Sequence, residues 1–95
     1  IIDAHCHAGK GDGLSGPWDT EAPLDQYLHY ASESKIARTI VFPAFHTDYA
    51  VANRAVAGLV ARYPRRLWGF AFIHAERDRG RVFELVQTAV KQYGF

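Results

Sequence analysis

The 95 residues carry a net charge of +1 with histidines neutral, an apolar share of 48% and one cysteine. They make one domain or part of one, and the charge balance offers no electrostatic case for nucleic acid or an anionic membrane surface. A lone cysteine excludes an internal disulfide and points to a reducing, cytoplasmic setting. No apolar stretch is long enough to span a bilayer, and no signal peptide is expected ahead of Ile1. The arginines at 65, 66, 77, 79 and 81 read as solvated helix ends and loops, diluted by Glu76, Asp78 and Glu84.

The pattern predicts a first strand over residues 1–4, so the native start is expected to lie upstream or very close. A long loop, "HAGKGDGLSGPWDTEA", leads to a helix over residues 23–34. Pro23 suits a first helical turn, where its missing N–H would have no partner, and Leu24, Tyr27, Leu28 and Ala31 recur at helical spacing. "ARTIVF", residues 37–42, ends in a continuous apolar run that fits a strand covered on both faces; Pro43 closes it. The next helix spans residues 49–63, with Thr47 or Asp48 as N-cap and an inner stripe of Ala52, Ala55, Val56, Leu59 and Val60. Pro64 stops it. "LWGFAFI", residues 67–73, is the third strand. The third helix starts near Asp78, turns Val82, Leu85, Val86, Ala89 and Tyr93 to one side, and has Gly94 as its left-handed cap.

Three consecutive βα units argue an α/β fold with a parallel sheet and right-handed crossovers. Three parallel strands leave two open edges and call for a fourth strand after Phe95. Residues 1–95 therefore read as the N-terminal part of a larger α/β domain.

The chemistry concentrates in "DAHCHAG", residues 3–9. On a regular strand Asp3, His5 and His7 share one face and Ile2, Ala4 and Cys6 the other. Two imidazoles converging from one face at the C-terminal end of a strand suit Zn²⁺ or a neighbouring transition metal. Core or surface histidines are the plain alternative. Asp3 could accept a histidine ring N–H behind the metal or satisfy a buried backbone donor. His46 and His74 follow the ends of the second and third strands, where they could face a small-molecule substrate or be ordinary loop histidines. For His74, which shares parity with Phe70 and Phe72, the sequence leaves open which face of its strand turns inward. His29 falls outside its helix's apolar stripe and reads as solvated. Cys6 has the wrong parity to join the histidines and reads as an inert thiol between strand and helix. Trp18 and Tyr49 are candidate pocket walls. Gly11, Gly13 and Gly16 match G-x-G-x-x-G, but Pro17 follows and no acid ends the second strand, so a mobile loop over the strand ends is the better account than a dinucleotide site.

Taken together, "IIDAHCHAG", "ARTIVFPA", "ANRAVAGLVARYPRRLWGFAFI" and "ELVQTAVKQYGF" resemble the opening third of the amidohydrolase-related metal-dependent TIM-barrel enzymes, in the branch of aminocarboxymuconate-semialdehyde decarboxylase-like proteins. The resemblance runs through essentially all 95 residues in order. Its most specific parts are Asp-x-His-x-His and the run from Asn53 through Tyr63-Pro64-x-Arg66 to Gly69-Phe70. DNase-type and phosphoesterase-type barrels also open on His-x-His, so the second run selects the branch. The resemblance implies the N-terminal part of a (β/α)8 barrel holding a divalent metal, commonly zinc, with His5 and His7 as its first two ligands. It implies further ligands, a carboxylate general base and the remainder of the barrel outside these residues. The implied activity is metal-dependent hydrolysis, with non-oxidative decarboxylation of an unsaturated or aromatic acid as the alternative. A non-catalytic α/β binding module is the competing class, and a homo-oligomer is left open.

Overall fold

The computed structural model describes residues 1–16, 21–22 and 24–95. Pro17, Trp18 and Pro23, and with them the expected N-terminal proline of the first helix and one candidate pocket wall, lie outside the described residues. The elements follow in the order β1 (Ile2–Lys10), β2 (Glu21–Ala22), α1 (Leu24–Glu33), β3 (Arg38–Pro43), α2 (Tyr49–Arg62), β4 (Leu67–Gly69) and α3 (Val82–Lys91). Among the described residues they make one sheet in the order β2-β1-β3-β4. Strands β1, β3 and β4 are parallel, and β2 is a short antiparallel addition to the end of β1. This is a mixed α/β arrangement of parallel strands alternating with helices. No described helix is long and apolar enough to cross a membrane.

Parity along β3 and β4 divides the sheet into two unlike faces. Thr39, Val41 and Pro43 of β3 and Leu67 and Gly69 of β4 are buried. With Ala8, Leu24, Leu28 and Val56, the apolar members of this set build the core between the sheet and the helices α1 and α2. Residues of the opposite parity, Ile40, Phe42 and Trp68, point to the other face, which no described helix covers. Trp68 is 42% exposed there, shielded in part by the Arg38 guanidinium 4.7 Å above its ring.

Several boundaries differ from the sequence reading, each for a visible reason. Strand β1 does not stop at residue 4 but runs through both histidines to Lys10, because β3 supplies ladder partners as far as Ala8↔Pro43 and β2 beyond that. Strand β4 ends at Gly69 although β3 runs on to Pro43: the Phe70 N–H still donates to Val41 O at 2.9 Å, and beyond it Asn53 takes over the next segment. Helix α3 begins at Val82 rather than near Asp78. The buried Asp78 carboxylate instead accepts the His74 N–H at 2.8 Å and organises the turn before the helix. Leu85 and Ala89 of α3 are buried, while Val82 and Val86 of the expected stripe stay exposed.

Helix α1 ends in a Schellman-type motif that no glycine announces. Lys35 takes a left-handed conformation (φ 59°), its N–H donates to Ser32 O at 3.1 Å, and Ile36 N–H donates to Ala31 O at 2.8 Å. The expected cap of α2 is Asp48, whose carboxylate accepts the Ala50 N–H at 2.8 Å. At the far end Gly94 (φ 70°) turns the chain so that Phe95 N–H reaches Ala89 O at 3.0 Å. The Phe95 ring then lies where a Cβ on residue 69 would stand, which explains a glycine inside a strand.

Candidate metal centre

The ladder between β1 and β3 carries an irregularity that decides the site. Asp3 pairs with Thr39 and Cys6 with Val41, so three steps on β1 match two on β3. Ala4 and His5 stand against Ile40 alone, which is a β-bulge. The extra residue reverses parity on either side of it. Asp3 therefore falls on the helix-covered face with Thr39, Cys6 and Ala8, while His5 and His7 share the open face with Phe42. The expectation that Asp3 shares a face with the histidines is thus corrected, and simple i, i+2 counting fails because it assumes an unbroken pleat.

On the open face the two imidazoles converge. His5 Nε2 and His7 Nε2 are 3.0 Å apart, with ring centroids 5.0 Å apart. His7 Nδ1 lies 2.8 Å from the carbonyl oxygen of Pro43. A carbonyl only accepts, so Nδ1 carries the ring proton and Nε2 presents its lone pair toward His5. Two ring nitrogens bound to one tetrahedral zinc at about 2.05 Å would stand about 3.3 Å apart, close to the observed pair. The donor type, the His7 tautomer and the spacing fit a divalent cation, which would take the place of the proton that His5 Nε2 donates to His7 Nε2 across the 3.0 Å. A group of three or more His, Cys, Asp or Glu side chains placed to hold a metal ion is not found among the described residues.

Asp3 supports the pair from behind the sheet. Its Oδ1 accepts the backbone N–H of His5 at 3.1 Å, and its Oδ2 accepts the Tyr27 hydroxyl at 2.5 Å. Of the two roles open for this carboxylate, the structure gives it the backbone donor, in place of a ring N–H. The Tyr27 oxygen lies 2.8 Å from Thr39 Oγ1. With the phenolic proton given to Asp3, Thr39 donates to Tyr27. Burial, then the hydrogen bond to Asp3, push the Tyr27 hydroxyl up to about 12. On the same side Cys6 is half-buried, and its thiol is held above the ordinary range by burial and then by the Asp3 charge. The thiol borders an open cleft of about 370 Å³ between β1 and α1, lined also by His7, Ala8, Leu24, Tyr27 and Tyr30.

Aromatic rings wall the open-face site. Phe42 lies 4.8 Å from the His5 ring; Phe45 and Phe72 lie 5.4 and 5.5 Å from His7. Phe70 meets Phe42 edge-on at 5.4 Å, so the segment after β4 turns its phenylalanines toward the histidines, which sequence parity left undecided. Asn53 of α2, 2% exposed, holds that segment by donating to Phe72 O at 2.9 Å and accepting Phe72 N–H at 2.8 Å. Its side-chain amide stands in for a neighbouring strand. Tyr49 packs edge-on against Phe72 at 5.3 Å and carries the Arg77 guanidinium at 4.9 Å, so it walls the cluster from the helix side.

His46 and His74 occupy the loops at this rim without joining the His5–His7 pair. His46 Nδ1 accepts the Asp48 N–H at 2.8 Å. An accepting nitrogen bears no proton, so the nearby Asp12 carboxylate oxygen at 3.6 Å is a neighbour rather than an ion-pair partner. His74 is exposed and accepts the Arg77 N–H at Nδ1 over 3.3 Å. Arg77 in turn donates to the carbonyls of His46 and Thr47, which ties the two loops together. His29 is solvated beside Glu33 on α1.

The glycine-rich segment is anchored by Asp12. Its carboxylate accepts the hydroxyl and the N–H of Thr47 and the N–H of Leu14. The Thr47 hydroxyl, then the Thr47 N–H, hold Asp12 below its usual value. Gly13 and Gly16 adopt positive φ within a turn, and α1 starts only at Leu24, so the glycines do not open a helix. Sequence reasoning missed Asn53 as the clamp on Phe72, Tyr27 as the partner of Asp3, and Asp12 as a loop anchor. Each is a side chain acting on backbone or on another side chain far along the chain, and local pattern carries no signal for that. Comparison of the chain with protein-family models, with curated proteins and with solved structures gives no significant match.

Proposed function

We propose that these residues form the N-terminal part of a (β/α)8 barrel and that the protein is a metal-dependent hydrolase acting on a small molecule. The observation that carries this reading is the convergence of His5 Nε2 and His7 Nε2 to 3.0 Å, with the His7 tautomer set by Pro43 O. The site lies toward the C-terminal end of a parallel strand, where ligands collect in α/β folds. The uncovered sheet face, rich in aromatic side chains, supports a barrel interior completed by further strands.

His5 and His7 would hold a divalent ion, zinc first among those that imidazole suits, together with ligands from elsewhere in the protein. When bound, such an ion supplies a water of near-neutral pKa and polarises a carbonyl or carboxylate oxygen. The protein's own contribution here is position and dryness. Pro43 O and Asp3 fix the two ligand residues, and Phe42, Phe45 and Phe72 keep water from one side of the pair. The same aromatic wall favours a second reading, non-oxidative decarboxylation of an unsaturated or aromatic acid, because a carboxylate laid against apolar rings loses hydration.

The test is metal analysis of the purified full-length protein beside its His5→Ala/His7→Ala variant. Stoichiometric zinc in the parent and at least a tenfold drop in the variant is the expected result. Equal content in both would remove the metal and favour a non-catalytic binding module. Product analysis on candidate acids and amides, with release of CO₂ as the readout, then separates decarboxylation from hydrolysis.

A further inference from the structure

The bulge in β1 places His5 beside His7, and a bulge is a local conformation that something must hold. The described structure holds it from the face opposite the rings. Asp3 Oδ1 accepts the His5 N–H at 3.1 Å, and Asp3 Oδ2 accepts the Tyr27 hydroxyl at 2.5 Å. Thr39, the ladder partner of Asp3, is 1% exposed and lies 2.8 Å from the Tyr27 oxygen. The chain of donors therefore runs from Thr39 to Tyr27 to Asp3, and the free carboxylate oxygen meets the backbone of the ligand residue. It ties α1, β3 and β1 together at the one point where the ladder slips.

We propose that Tyr27 and Asp3 are positioning residues for the metal pair: they lock the bulge so that His5 Nε2 stays within coordinating distance of His7 Nε2. This rests on the metal reading above. Neither side chain touches the ion or substrate. Tyr27 acts through Asp3, and Asp3 acts through the His5 backbone. Without the lock, a regular pleat through residues 3–6 would turn Asp3 to the histidine side or carry the histidines to the other face. Loss of such supporting partners lowers metal affinity by about 10–100-fold in characterised sites.

The experiment measures Zn²⁺ affinity by competition with a chelator, and the visible absorption of bound Co²⁺, for the full-length protein and three variants. Tyr27→Phe removes only the hydroxyl and is expected to weaken zinc binding about tenfold and to alter the cobalt spectrum. Asp3→Ala is expected to lose more. Asp3→Asn retains an oxygen for the His5 N–H and can donate to Tyr27, whose proton then turns to Thr39; it is expected to recover most of the affinity lost in Asp3→Ala. A merely structural role would lower the melting temperature and leave the cobalt spectrum of the folded fraction unchanged. Parent-like affinity and spectrum in both Tyr27→Phe and Asp3→Ala would overturn the inference and leave the metal reading standing. Absence of zinc and cobalt binding by the parent protein would overturn both. Should Asp3→Ala fail to fold, the comparison of Tyr27→Phe with the parent decides alone.

Discussion

Tyr27 offers a direct reading of the Asp3 lock in solution. Its hydroxyl is pushed up to about 12, chiefly by burial and then by the neighbouring carboxylate. A tyrosine whose folded value lies above the unfolded one, about 10, stabilises the fold fully below pH 10, and that contribution fades as pH rises through 12. Alkaline titration at the phenolate absorbance band should show late ionisation from Tyr27, near 12, and from Tyr63, which is raised by its hydrogen bond to the Asp25 carboxylate. Tyr27→Phe should remove the amplitude of one tyrosine from the late region and leave that of Tyr63. If the late amplitude is unchanged by the substitution, the hydroxyl of Tyr27 is not where the structure puts it. Much of the residue-level chemistry was legible beforehand. The shared face of His5 and His7 and the solvated His29 follow from spacing and parity, while Cys6, read as buried, is only half-buried. The face of Asp3 was not legible, because one inserted residue in a ladder leaves no mark in composition or periodicity.

At the scale of single elements, the end of α1 carries a cost that one substitution can relieve. Lys35 sits at φ 59°, a conformation that costs a side-chain-bearing residue about 1 kcal/mol or more. Lys35→Gly should raise stability by about 0.5 kcal/mol, the relief being offset in part by the extra freedom of glycine in the unfolded chain. The measurement is the midpoint of urea denaturation with unchanged slope; a lower midpoint would show that the Lys35 side chain contributes more than its backbone loses. The positions of the helices were readable from apolar spacing and from Asp48 and Pro64, but their ends depended on contacts beyond the local pattern. Helix α1 stops without a glycine, and α3 starts late because Asp78 bonds back to His74. The third strand shortened to Leu67–Gly69 for a similar reason: past Gly69 the ladder is replaced by a side chain, Asn53, which no alternation of apolar residues could announce.

For the whole molecule, the two sheet faces make opposite demands. One is sealed by Leu28, Val41, Val56 and Leu67; the other leaves Ile2 53%, Trp68 42% and Phe70 49% exposed beside the histidine pair. Helix α3 adds Phe83 at 78%. Exposed apolar surface favours association, and the 95-residue chain by itself should associate or fold poorly. Sedimentation velocity over a hundredfold concentration range is the check. A monomer throughout, with a sharp melting transition independent of concentration, would show that this face tolerates water. The parallel order of β1, β3 and β4 was legible from the alternation of strands and helices; the antiparallel pairing of β2 with β1 was not, since two residues are too few to form a pattern.

The slip opposite Ile40 makes β1 two strands in series, with their phases set separately. Upstream of it, side-chain direction answers to Thr39 and Tyr27; downstream, to Phe42 and Pro43. Loss of the single codon for Ala4 would rejoin the two phases and force a choice. Either the acid would come up among the phenylalanines, or the imidazoles would be driven into the aliphatic interior with the thiol and Ala8 taking their place. The whole donor pair thus hangs on a residue with only a methyl group, whose importance lies in being counted.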